Sequence, residues 1–354
     1  MRNLVMGFDG TWNTPYQTDR DRLVPTNVVK LLQALQPGPE LLRYYDTGVG
    51  TAGRLDKLWG GAAGRGLFDN VREGWEWLGR HYQPGDQLYL FGFSRGAYTA
   101  RSLAGMLSVC GVCPAVDKAQ TIVAEACRLY RERDTDKRHA LGERFRQNNH
   151  CFPGAVHMLG VWDTVGALGL PTRGPLGHLT RARHGFHNVH LGPHIRHAFH
   201  ALALHEQRAA FTPTLWQHPV PASVQTVQQM WFAGVHSNIG GGYACTGLSD
   251  ITLEWMLSQA LACGLPIDQE YVRRHIAPDA AGELRDSLSV FYRLPLAGRP
   301  RPREVGTGVP GEALHLTVSG SGEASAWGGS AWGRRDHFLI SPTPSSPNSP
   351  NQGR

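Results

Sequence analysis

Three residues of this 354-residue chain have the types and the order needed for nucleophilic acyl transfer: Ser94 in "LYLFGFSRGAYTAR", Asp163 in "GVWDTVGALG" and His236 in "FAGVHSNIGGGY". A serine hydroxyl is a poor nucleophile at neutral pH. It needs an imidazole to take its proton and a carboxylate to hold that imidazole in one tautomer. Ser, then Asp, then His is the chain order of the α/β-hydrolase triad. Gly92-Phe93-Ser94-Arg95-Gly96 matches GxSxG, but in a chain with 43 glycines the match alone is cheap. The competing reading is a glycine-lined turn around a structurally satisfied serine. Asp163 at a strand end followed by threonine could equally close an Asx-turn. His236 is one of 17 histidines, and it is singled out by its place between a strand and a glycine-rich loop.

A tetrahedral oxyanion needs N–H donors. The amide after the nucleophile, Arg95, and the loop "FDGTWN", through Gly10 and Thr11, are the expected ones. Asp9 in that loop raises a rival, an aspartyl-nucleophile phosphatase, but the residue two positions on is Thr11 rather than a second carboxylate. "IGGGY" lacks the GK[ST] of a phosphate-binding loop. Cys110 and Cys113 form a CxxC without a second pair, too little for zinc, and the six cysteines read as free buried thiols. The chemistry requires no metal or cofactor.

These residues need a scaffold that ends strands at one edge. Short apolar runs alternate with helical patterns, the layout of a mostly parallel central sheet flanked by helices, an α/β-hydrolase-like fold. "NLVMGFD", "ELLRYYDTG", "QLYLFGF", "AVHMLGVWD" and "VQQMWFAGVH" read as strands. Ser94 then lies between a buried strand and the helix "SRGAYTARSLAGMLSVCG", the context a nucleophile elbow requires; Gly92 and Gly96 are there because a Cβ would meet neighbouring backbone. Helices are expected over "TNVVKLLQAL" with Thr26 as cap, over Gly66 to Tyr82, over Arg128 to Arg146, over His194 to Phe211, and over "SDITLEWMLSQALACG" with Ser249 and Asp250 as the capping signal. After Leu265 the pattern loosens. The stretch from Gly320 to Asp336 reads as a loop, and Ser341 to Arg354 as a Pro/Ser-rich disordered tail. One catalytic domain over 1–340 and a tail over 341–354 are expected.

Hydrophobic residues make up 41% and charged ones 18%, enough to bury a large core. The net charge of +6 is mostly dispersed. The acid-free stretch His178 to His197 could face a membrane, and no nucleic-acid-binding motif accompanies it. No signal peptide and no run of about 18 apolar residues is present, so synthesis as a soluble cytoplasmic chain is expected.

"FDGTWN", "TNVVKLL", "YYDTGVGT", "YQPGDQLYLFGFSRGAYTARSLAGML", "GVWDTVGALG", "FTPTLW" and "GVHSNIGGGY", in that order, closely resemble an uncharacterised α/β-hydrolase family that includes the type VI secretion phospholipase effectors. The likeness runs from about Arg2 to Ser319. It implies that the serine of GFSRG, the aspartate of WDTVG and the histidine of GVHS, here Ser94, Asp163 and His236, form the triad. It implies further a phospholipase A or lipase acting on membrane phospholipids and delivered by a type VI system into the periplasm of a rival bacterium. The partners implied are a phospholipid or other acyl-ester substrate, a membrane surface, an immunity protein and a secretion-spike component. A soluble carboxylesterase acting on a small ester and a catalytically inactive binding scaffold are the alternatives. Two positions depart from the family pattern: His205 replaces an acid in "ALALHE", and Asn238 replaces the aspartate common after GVHS.

Overall fold

Asn3–Phe8 alternates its side chains between two cores: Leu4, Met6 and Phe8 turn to one side and Val5 to the other, all essentially unexposed. A strand buried on both faces belongs inside a parallel sheet covered by helices. The computed structural model describes residues 1–10, 13–48, 61–114, 120–165, 191–217, 225–288 and 300–319, with only the backbone for 61–65. Thr11, most of the acid-free stretch, the loop from Gly320 and the tail from Ser341 lie outside the described residues.

In chain order the elements are β1 (Asn3–Phe8), the short hairpin of β2 (Thr18–Asp19) and β3 (Arg22–Leu23), α1 (Asn27–Gln33), β4 (Leu41–Asp46), α2 (Gly61–His81), β5 (Gln87–Phe93) and α3 (Arg95–Cys110). Then follow α4 (Gln120–Tyr130), α5 (Thr135–Asn148), β6 (Val156–Trp162), β7 (Ile195–Ala203), β8 (Thr226–Phe232), α6 (His236–Gly240), α7 (Gly247–Ala262), α8 (Gln269–His275), β9 (Glu312–Leu314) and α9 (Leu316–Ser319). Seven strands pair in the order β4-β1-β5-β6-β7-β8-β9, all parallel. The mostly parallel sheet flanked by helices is the α/β-hydrolase-like architecture expected. Helices α2 to α5 cover one face through Val71, Trp75, Leu103, Leu129 and Phe145. Helices α1, α7 and α8 cover the other through Val28, Leu31, Met256 and Leu257. Each such buried side chain contributes roughly 1.5–3 kcal/mol relative to exposure. None of the described helices is long and apolar enough to cross a membrane.

Four local expectations are corrected. Ile195–Ala203 is strand β7, not the start of a helix: in the middle of the sheet both faces of Ala198–Ala203 are buried, so its Ala, Phe and Leu, with His200 among them, lack the alternation of a half-exposed strand and mimic a helix-forming segment. Arg128 to Arg146 is two helices rather than one, because Asp134 stops the chain and caps α5 by accepting from the Lys137 N–H at 3.0 Å. Helix α7 begins at Gly247, ahead of Ser249. The Asp250 carboxylate accepts from Thr246 Oγ1 at 2.8 Å and from buried Lys30 at 2.7 Å instead of capping. Of the six free thiols only Cys110 and Cys113 are buried; Cys245 is exposed and the others are half-buried. Thr26 does cap α1, accepting from the Val29 N–H.

Candidate active site

All the candidate residues leave the sheet at its carboxyl edge. Ser94 follows β5, Asp163 follows β6, His236 follows β8 and opens α6, and Gly10 follows β1. In open α/β sheets this edge is where the strands end and the loops converge, and it is the usual ligand side.

Ser94 has φ 59° and ψ −120°, a conformation L-residues rarely adopt, and its amide donates to the Trp162 carbonyl at 3.0 Å. The turn is possible only because its flanks are glycine. A Cβ on Gly92 would lie 2.5 Å from the Gly96 carbonyl oxygen, and one on Gly96 would lie 2.1 Å from that of Phe8. The serine is thereby presented at the tip of a strained strand-to-helix turn, with its side chain free to bond outward.

His236 Nε2 lies 2.8 Å from Ser94 Oγ, and His236 Nδ1 lies 2.6 Å from Asp163 Oδ2. With Nδ1 protonated and donating to the carboxylate, Nε2 accepts the serine hydroxyl. The ring is packed between Phe93, 4.6 Å away, and the edge-on ring of Phe211 at 4.8 Å. Asp163 is wholly buried and held by its backbone: its N–H donates to the Ala201 carbonyl at 2.8 Å and its Oδ1 accepts from the Ala203 N–H at 3.1 Å.

Two ion pairs absent from any motif surround this line. Arg303 donates from Nη1 to Asp163 Oδ1 at 2.5 Å and from Nη2 to Oδ2 at 2.9 Å, and its guanidinium is almost fully buried. Glu206, also buried, accepts the His236 backbone N–H at 3.2 Å, the Ser287 hydroxyl at 3.0 Å and the Nε and Nη2 N–H groups of Arg208 at 2.9 and 2.8 Å. Burial pushes both carboxylates toward the neutral acid. It is outweighed at Asp163 by Arg303 and His236 and at Glu206 by Arg208, so each stays ionised, with its pKa below the ordinary value. Burial holds the His236 pKa below its ordinary value, against the raising effect of the Asp163 hydrogen bond.

The loop after β1 lies against the nucleophile: a Cβ on Gly10 would be 3.1 Å from that of Ser94. The Gly10 N–H, however, donates to Asp9 Oδ1 at 2.9 Å. That bond ties the Gly10 amide to the side chain of the residue before it. Asp9 anchors the loop, accepting also from Thr26 Oγ1 at 2.6 Å and Tyr45 Oη at 2.9 Å, and burial raises its pKa to about 6. The Arg95 amide follows Ser94 directly and opens α3.

The two departing positions hold the turn that carries the histidine. His205 Nδ1 accepts from the Gly234 N–H at 2.9 Å, and Asn238 Oδ1 accepts from the Val235 N–H at 3.3 Å while its Nδ2 donates to the Glu283 carbonyl at 3.1 Å. Sequence reasoning missed Glu206, beside the flagged His205, and Arg303. A charged pair interrupting "ALALHEQRAAF" was the available signal for Glu206. Arg303, in "GRPRPREVG", gave none.

The family model described as "T6SS, Phospholipase effector Tle1-like, catalytic domain" matches residues 2–259. An uncharacterized protein of Saccharomyces cerevisiae, YEL023C, is 27% identical over 238 residues, which covers 59% of this chain and 32% of that protein; the chain thus spans about a third of its curated relative. Among solved structures, an uncharacterized protein from Pseudomonas aeruginosa aligns with a TM-score of 0.44 at 18% identity, over 78% of this chain and 49% of the other. The Tle1 effector bound to the VgrG spike of the type 6 secretion system aligns at 0.39 and 20% identity, over 70% and 52%. An esterase of Thermogutta terrifontis aligns at 0.40 and 13%, over 75% and 84%.

Proposed function

The chain belongs to the family of Tle1-like phospholipase effector catalytic domains of type VI secretion, and from that premise we propose that it is a serine hydrolase of acyl esters. The observation that carries the reading is the continuous hydrogen-bonded line from Ser94 Oγ through His236 to Asp163. Ser94 Oγ attacks the ester carbonyl carbon while His236 Nε2 takes its proton. Asp163 holds Nδ1–H and stabilises the imidazolium that forms. The tetrahedral oxyanion is received by the Arg95 amide and by the loop of Gly10 and Thr11. Collapse breaks the bond to the alkoxide, which takes the proton from His236. Water, deprotonated by the same imidazole, then releases the carboxylic acid and restores Ser94.

The acyl ester is that of a membrane glycerophospholipid, and the enzyme works as an antibacterial effector carried on a secretion spike and neutralised at home by an immunity protein. Family membership supports this finer reading. Fluorophosphonate labelling and hydrolysis of phospholipid vesicles test it together. Wild-type protein is expected to label and to release fatty acid, and Ser94→Ala to do neither. Labelling with hydrolysis of a short-chain ester alone would remove the phospholipid; equal labelling of Ser94→Ala would remove the nucleophile.

A further inference from the structure

On the reading of Ser94, Asp163 and His236 just given, we propose that Arg303 is a positioning residue for the reaction: it clamps both oxygens of Asp163 and offsets that charge beside the imidazole.

The geometry makes Arg303 a brace on both sides of the imidazole. Two of its N–H groups fix Asp163, at 2.5 and 2.9 Å, and Nη2 donates also to the Phe211 carbonyl at 2.7 Å. The Phe211 ring in turn packs edge-on against His236. The arginine's own backbone is held nearby, since the Arg301 N–H donates to the Gln207 carbonyl at 2.8 Å. A bidentate guanidinium leaves a carboxylate little freedom to rotate, so Oδ2 stays aimed at His236 Nδ1.

The electrostatic consequence follows from the charges that face the ring. The end of β6 contributes Asp163, and the segment after β7 contributes Glu206 with its partner Arg208. Arg303 comes from residues 300–304, and the turn after β5 contributes the neutral Ser94. His200, behind Asp163, is kept neutral by burial, with its pKa down at about 3. Two carboxylates and two guanidiniums therefore surround the imidazole, with no net charge. A triad aspartate without a cationic partner favours the imidazolium. Here burial outweighs the raising pull of Asp163 and Glu206, with the Arg208 charge acting in the same sense as burial, and the ring is held neutral. Arg303 lies outside the matched span of 2–259, so this part of the site is supplied by sequence beyond the family model.

The test is the imidazole titration of His236 followed by NMR in the wild type, Arg303→Met and Arg303→Lys, with the pH dependence of fluorophosphonate labelling alongside. The wild-type midpoint is expected below the ordinary value of about 6.5. Arg303→Met, which keeps the bulk and removes the charge, should raise the midpoint by about one pH unit and move the acid limb of labelling with it. Its labelling plateau at high pH should fall about tenfold as Asp163 loses its clamp. Arg303→Lys should return the midpoint to near wild type while recovering little of the plateau. An unmoved midpoint in the methionine variant, or an equal rise in the lysine variant, overturns the proposal. If the methionine variant fails to fold, a wild-type midpoint at or above about 6.5 overturns it. Absence of labelling in every protein would count against the hydrolase reading instead, because the NMR midpoints are read without turnover.

Discussion

A carboxylate that serves a histidine and an arginine together has two separable roles, and Asp163 is placed for both. Asp163→Asn keeps the shape but presents an amide N–H to a partner that only donates. The expected loss in kcat is roughly 10³–10⁴-fold, from the wrong tautomer of His236. The same substitution leaves the buried Arg303 guanidinium without its counter-charge, which should cost about 3–5 kcal/mol of stability. Ser94→Ala removes a hydroxyl from a small strained turn and should abolish labelling while changing stability by less than about 1 kcal/mol. Steady-state kinetics and urea unfolding of the two variants separate the roles: equal stability of both would show that the Arg303 pair contributes nothing. At this scale Ser94, Asp163 and His236 were legible because each stands in a short motif at a strand end. Arg303 was not, because an ion pair between residues 140 apart in sequence leaves no local trace.

The elbow works only if α3 can approach β1. A methyl group on Gly96 would meet backbone oxygen at 2.1 Å from Phe8 and 2.5 Å from Asp9, and Phe8 is held in β1 between β4 and β5. Gly96→Ala should therefore destabilise the protein by about 1–3 kcal/mol or more and pull Ser94 out of line with His236. Gly38→Ala is the control: nothing lies within 4 Å of its Cβ position, so its effect should stay within about 0.5 kcal/mol. Urea midpoints and labelling rates measured on both decide it, and a normal labelling rate for Gly96→Ala would contradict the elbow geometry. The strands that alternate between two cores, such as β1 and β5, were legible from their apolar runs and flanking turns. Strand β7 was not, since "AFHALALHE" carries the composition of a helix and only its neighbours β6 and β8 make it extended. Three-residue β9, added beside β8 late in the chain, has too few residues for any periodicity to show.

Across the whole molecule, the alternation of strands and helices announced the layered sheet, while the polar groups buried between the layers had to be seen in place. His200 is one of them. It is fully buried in β7, its Nε2 accepts from the Thr164 N–H at 3.1 Å, and burial together with the nearby Arg101 charge holds its pKa at about 3. In the unfolded chain the same imidazole titrates near 6.5. Between those two values the unfolded state binds a proton that the folded state refuses, so stability falls as pH drops from about 6.5 toward 3. His236, also lowered by burial, acts in the same sense below about 6.5. Asp163, whose folded pKa is depressed, adds its own loss only below the ordinary carboxylate value near 4. The His200 contribution to the midpoint of thermal unfolding should accordingly decline from pH 7 to pH 4, opposed below about pH 6 by Asp9, whose raised pKa makes the folded state the better proton acceptor there. His200→Gln offers the Thr164 amide an acceptor that does not titrate, and it should flatten that decline while losing some stability at pH 7 through imperfect packing. Unfolding curves of the two proteins at half-unit steps of pH provide the comparison. Parallel declines would mean that His200 takes up its proton without unfolding, and that the β7 core is open to water in the native state.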